Sequence, residues 1–184
     1  MYGVSCDEEG FDPALISRKM SRRAIARRLD TEVKRIFDGT RRRMRAQKYG
    51  GVDERGWGES ANDWLSCEVY RLVRRLRRTG HLDALKDAID RAPVKSKGLH
   101  DVSEQPFKLA LFLIFGDLMV PEGKSPLSRN KRSELGDALA YADVHSVPSK
   151  YLNGFIKQAR LKECRAKLEK RYIEPRFDSR SDLT

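Results

Sequence analysis

From Phe107 to Val120 the chain is apolar on almost every side, interrupted only by Lys108, Gly116 and Asp117. At about 14 residues it falls short of the roughly 18 that a membrane span needs. A helix without a polar face cannot lie at a surface. The segment therefore predicts a central helix over 106–120, with the other elements packed around it. Pro106 suits the first turn of such a helix. The constraint is sharp because apolar material is scarce: the 184 residues are 39% hydrophobic and 35% charged, below and above the usual shares respectively. A chain of this length suits one domain, or one domain and an arm.

The remaining segments carry helical period, and none alternates cleanly like a strand. Between Ala14 and Gln47, Ile25, Leu29, Val33 and Ile36 share one side, with Phe37 at its edge. A break is conceivable at Asp30 or Gly39. After the Gly-rich stretch around Trp57, a helix is expected from Ser60 or Asn62 to Gly80, with Leu65, Val69, Leu72, Val73 and Leu76 inward. Ser60 with Asp63 resembles a capping box, and Gly80 suits a C′ position. A short helix carries Leu82, Leu85 and Ile89 and stops at Pro93. Ser128 can cap another, carrying Leu135, Ala138, Leu139 and Ala142. A last helix is expected over 149–172, with Tyr151, Leu152, Phe155, Ile156 and Ala159 buried, before Pro175. The fold class is all-α: a bundle of five or six helices over 58–172. A basic helical arm behind an acidic N-terminus (1–50) precedes it, and a disordered tail (173–184) follows.

Charge is concentrated in the arm. Residues 17–48 hold thirteen Lys or Arg against three acids, a net +10 within a chain of net +11. Arg23, Arg27, Lys34, Arg41 and Arg45 gather opposite the apolar seam, flanked by Arg28, Arg35 and Arg42. On the second helix, Arg71, Arg74, Arg75 and Arg78 stand at i, i+3, i+4 and i+7 with no acid at i±4 among them. Guanidinium groups so placed repel one another, and a phosphate backbone would relieve that repulsion through bidentate contacts. Trp57, in a Gly-rich stretch, is the aromatic placed to stack on a base, whereas Trp64 suits the core. Aromatics do not interleave with the basic runs as a single-strand stacking platform requires.

Ser21 to Leu29, with Ile25-Ala26 and then Leu29, resembles the first helix of some helix-turn-helix domains. That family's usual Gly after the Leu is Asp30 here, and its capping Ser or Thr two further on is Glu32. Gly123-Lys124-Ser125 lacks the first glycine of a P-loop, because Leu118 holds that place. Gly56-Trp57-Gly58 has no third glycine and no preceding strand, which excludes a dinucleotide fingerprint.

The leading expectation is a nucleic-acid-binding accessory or regulatory protein. It would contact phosphates of DNA or RNA through Arg23, Arg27, Arg28, Lys34, Arg35, Arg41, Arg42, Arg45, Arg71, Arg74, Arg75 and Arg78, with Trp57 for stacking, and would perform no catalysis. The alternative is an adaptor or inhibitor presenting the same basic surface to an acidic protein. A third is a metal-dependent enzyme acting on nucleic acid through Asp117, Glu122, Glu134, Asp137 or one of the separated histidines His81, His100 and His145. Neither cofactor nor metal is expected, and no membrane partner. Cys6, Cys67 and Cys164 form no CxxC pair, so a zinc site and a disulfide framework are not indicated. Reduced thiols in a cytoplasm are expected. The N-terminus is acidic and lacks the apolar run of a signal peptide.

Overall fold

The computed structural model describes residues 16–48, 60–91, 105–116 and 127–175. Among them there is no strand. Seven α-helices run α1 (Arg22–Lys48), α2 (Ala61–Thr79), α3 (Asp83–Asp90), α4 (Pro106–Phe115), α5 (Arg129–Val144), α6 (Leu152–Ala159) and α7 (Cys164–Glu169), with one 3-10 turn (Ser149–Tyr151) before α6. None is long and apolar enough to cross a membrane.

The apolar segment is the hub. In α4, Phe107, Leu109, Ala110, Leu111, Leu113, Ile114 and Phe115 are all buried, and α4 packs on α1, α2, α3 and α5. Each large side chain so buried contributes about 1.5–3 kcal/mol. Pro106 occupies the first turn, as expected; residues 117–120 lie outside the described residues. Two glycines permit close approach. A Cβ on Gly39 of α1 would come within 2.4 Å of the Trp64 ring, and one on Gly136 of α5 within 2.5 Å of Lys108 Cγ. Lys108 then reaches Asp137 of α5 at 2.7 Å, an ion pair close to the core.

Helix ends follow the capping residues. Ser60 Oγ accepts from Asp63 N at 3.1 Å to start α2, and Gly80, with φ 75°, ends it. Ser128 starts α5 by accepting from Lys131 N. Before α1, Ser21 Oγ accepts from Ala24 N, so the helix begins at Arg22 rather than near Ala14. Residues 16–20 instead form a turn tied to α2: Arg75 Nε donates to Ile16 O at 3.0 Å, and His81 Nε2 to Ser17 O at 2.9 Å.

Several expectations change. Residues 22–48 are one unbroken helix. The chain does not turn at Asp30, and the likeness to a helix-turn-helix ends with Leu29. The segment expected as an arm is also a wall of the bundle: Leu29, Val33, Ile36 and Phe37 belong to the same hydrophobic core as α2, α4 and α5. An apolar seam that long must be covered, and α2, α3 and α4 cover it. The stretch joining α1 to α2 lies outside the described residues.

The helix expected over 149–172 is interrupted. Arg160 adopts φ 61°, and a turn over 161–163 redirects the chain. The bend brings Cys164 into the core, with Leu161 and Leu168 packed against it. Tyr151, expected inward, is 56% exposed, because it precedes α6 in the 3-10 turn. Residues 172–174, partly assigned to a disordered tail, are pinned: Glu174 N donates to His145 Nε2 at 3.0 Å, and Lys167 Nζ to Glu174 Oε1 at 2.7 Å. Residues 176–184 lie outside the described residues. Cys67, expected as a reduced thiol, is disulfide-bonded, whereas Cys164 is a buried free thiol. A disulfide needs proximity in space rather than close spacing in sequence, and such bonds are rare in reducing compartments.

Candidate nucleic-acid interface

The outer side of α1 follows from its inner side. Ile25, Leu29 and Ile36 are buried at 3%, 0% and 0% exposure, which fixes the rotation of the helix. Residues half a turn away must face water. Arg23, Arg27, Lys34, Arg41 and Arg45 are all exposed, as are the flanking Arg28 and Arg42. None of these seven makes an ion pair among the described residues. The row is not purely cationic, since Asp30 and Asp38 are exposed beside it. At about 1.5 Å rise per residue, Arg23 and Arg45 stand about 33 Å apart along the axis. The first turn contains Arg22 and Arg23 and no acid. Cations there oppose the helix dipole by about 0.3–1 kcal/mol each, a cost that a bound anion would offset.

The other flank of α1 is engaged inside the protein. Arg35, expected as a backbone contact, is half-buried and donates to Glu32 Oε2 at 2.9 Å and to Glu68 Oε2. Glu68 Oε1 accepts from Arg71 Nη1 at 3.1 Å. Both carboxylates are buried, at 3% and 2% exposure. Burial alone would lower the Arg35 pKa; Glu68 and then Glu32 outweigh it, and the value ends above the ordinary one. Further along, Arg43 is buried with its guanidinium 4.0 Å above the Trp64 ring. Trp64 is a core residue, as expected.

The arginine row of α2 is therefore not a uniform cationic face. Arg71 pairs with Glu68. Arg74 donates to Val147 O at 2.9 Å and lies 3.6 Å from Asp143 of α5. Arg75 holds Ile16 O. Arg77, outside the expected set, takes the other Asp143 oxygen. Only Arg78 of the four is classed as exposed; its carbonyl accepts from Arg18 Nε at 3.4 Å. The expected mutual repulsion is relieved from within, by an acid three residues back and another on a different helix. Trp57 lies outside the described residues.

Glu32 and Glu68 were missed as partners, yet each carried a signal. Each falls at the edge of an apolar face, Ile25–Leu29–Ile36 and Leu65–Leu72–Leu76 respectively, where a carboxylate must find a cation.

Among the described residues, the carboxylates weighed for metal chemistry do not assemble, and no group of three or more His, Cys, Asp or Glu is placed to hold a metal. Asp137 is committed to Lys108, while Asp117 and Glu122 lie outside the described residues, as does His100. His145 is structural: its Nδ1–H donates to Tyr141 O at 2.9 Å, and its Nε2 accepts from Glu174. Between the start of α1 and α3 lies an open cleft of about 520 Å³. Arg22 and Arg23 line one wall; Asp83, Asp87 and Asp90 line the other. No protein-family model, curated protein or solved structure matches this chain.

Proposed function

We propose that this protein binds nucleic acid through the solvent face of α1, by phosphate contacts and without catalysis. One observation carries the reading: seven exposed Arg and Lys side chains on a single helix, none in an ion pair among the described residues. Charge left unpaired on a fixed surface attracts a polyanion and releases its counterions on contact. The cations in the first turn of α1 support the same reading, since they oppose the helix dipole and no acid in that turn offsets them. Arg35, Arg71, Arg74 and Arg75 drop out of the contact set because their hydrogen bonds hold the fold. The set becomes Arg23, Arg27, Arg28, Lys34, Arg41, Arg42 and Arg45, with Arg78 nearby on α2.

The test is fluorescence anisotropy on the purified, nuclease-treated protein with pooled DNA and RNA oligonucleotides across a salt series. Sub-micromolar binding with a steep salt dependence is expected. Replacing Arg23, Arg27, Arg41 and Arg45 together by Gln removes it without changing the melting temperature. Binding that vanishes near physiological salt, or that survives the four substitutions, would refute the proposal. In the first case an acidic protein becomes the partner to seek.

A further inference from the structure

We infer that the partner is a double helix, held along its phosphates over about one turn and without regard to base sequence; this rests on the nucleic-acid reading above. Three features of α1 lead there, beginning with shape. The helix is unbroken from Arg22 to Lys48 and is clamped to the core by Leu29, Val33, Ile36 and Phe37. Its cations therefore lie on a straight, stiff line. The line from Arg23 to Arg45 is about 33 Å long, and one turn of duplex DNA is about 34–36 Å. A rod can lie against a rod over that length, whereas a flexible strand would have to be straightened at an entropic cost.

The second feature is spacing. Arg23 and Arg27 form one group, Lys34 a second, and Arg41 with Arg45 a third. About 10.5 Å separates Arg27 from Lys34, and the same separates Lys34 from Arg41. Asp30 and Asp38 occupy the gaps and are exposed. A single strand running along this line would carry phosphates past both acids. A duplex presents its backbones to a straight rod only where they wind round, so the acids can face a groove.

The third feature is what the face lacks among the described residues. Single-strand binders stack bases on aromatic rings, and the one aromatic of α1, Phe37, is buried against Phe115. Tyr151 and Tyr172, which are exposed, belong to other segments. The exposed arc is also bounded on both sides, by the Arg35–Glu68 pair towards α2 and by the Phe37–Phe115 contact towards α4. Helix α1 is thus set into the wall of the bundle. Only its outward arc is open, which favours contact with phosphates over insertion into a major groove to reach base edges. Contact is confined to phosphates, which carry no sequence information directly.

The experiment compares labelled DNA of about 20 base pairs, roughly two turns, with each of its separated strands and with an unrelated duplex of equal length. An RNA duplex serves as a further arm. At about 0.15 M salt the duplex is expected to bind at least tenfold more tightly than either strand. The two DNA duplexes should agree within about threefold, since base readout would separate them by far more. The salt slope on the duplex should lie between about −4.5, for the five cations of the central row, and about −6.3, for all seven of the contact set. Arg27→Gln should reduce it by about 0.9, and Asp30→Asn should raise affinity. All these positions are exposed, and an unchanged melting curve checks that the variants fold. Equal or tighter binding to a single strand would overturn the duplex inference and leave the nucleic-acid reading in place. A clear preference between the two duplexes would overturn its sequence-independence. Binding to none of the probes would sink both. Equal binding to the RNA duplex supports recognition of phosphates alone, whereas tight RNA binding with no DNA binding refutes it.

Discussion

Glu68→Gln is the substitution that most directly probes the seam between α1 and α2. The Glu68 carboxylate is 2% exposed and divides its oxygens between two guanidiniums, Oε2 to Arg35 and Oε1 to Arg71 at 3.1 Å. Glutamine keeps the shape but offers one acceptor, so its NH2 must face a cation. One bond stays charge-assisted through its guanidinium but loses the carboxylate's charge, and the other, worth about 1.5–3 kcal/mol, is lost. Removing one partner of a buried pair costs up to about 3–5 kcal/mol when the remaining charge is stranded. Here the upper end does not apply, because Arg35 keeps Glu32 and its side chain is 29% exposed. The expected loss is about 2–3 kcal/mol. With a urea m-value of about 2 kcal/mol/M, the midpoint should fall by roughly 1–1.5 M at unchanged m. The melting temperature should fall by about 4–12 °C. A double-mutant cycle with Arg71→Met should give a coupling energy of about 1–3 kcal/mol. A midpoint shift below about 0.25 M, or additive single variants, would refute the claim that this charge pair joins the two helices.

Arg74→Met should destabilise the protein by about 1.5–3 kcal/mol, because it removes the charged bond to Val147 O. The same variant should leave the nucleic-acid salt slope within error, whereas Arg27→Gln should do the reverse; matched urea melts and anisotropy titrations separate the two roles. Gly39→Ala should lower stability by about 1–2 kcal/mol despite alanine's better helix propensity, since its Cβ would press on the Trp64 ring at 2.4 Å. A rise in the melting temperature would mean the ring has room to move. Stability should also fall in alkali. Burial pushes the Cys164 thiol up to about 11 and the Tyr70 hydroxyl to about 12, from ordinary values of 9.0 and 10.0. The folded state holds these protons longer than the unfolded one, so their contribution is complete below about pH 9 and lost as pH rises through 11–12. Urea melts at pH 8, 10 and 11 should show midpoints falling in that order; flat midpoints would contradict the burial of both groups.

The helices themselves were written into local pattern. Apolar residues at helical spacing, Ser60, Ser128 and Gly80 at helix ends, and the all-round apolar character of 106–115 act within a few residues of themselves. Sequence alone therefore places α2, α3, α4 and α5 closely. The outward row from Arg23 to Arg45 was legible for the same reason, since it is the necessary reverse of a buried seam. Relations between helices were not legible. Sequence counted Arg71, Arg74 and Arg75 as a cationic face because it sees only neighbours along one helix. Asp143, which lies beside Arg74 and Arg77, comes from α5, some seventy positions away, and Arg75 spends its donor on the turn before α1. The break at Arg160 was likewise hidden, because it is decided by where Cys164 and Leu168 can reach the core rather than by any breaker residue. Periodicity specifies which side of a helix is wet. Only packing specifies which charges on that side already have a partner, because a Coulomb contact depends on distance in space and is screened within about 10 Å at 0.1 M salt.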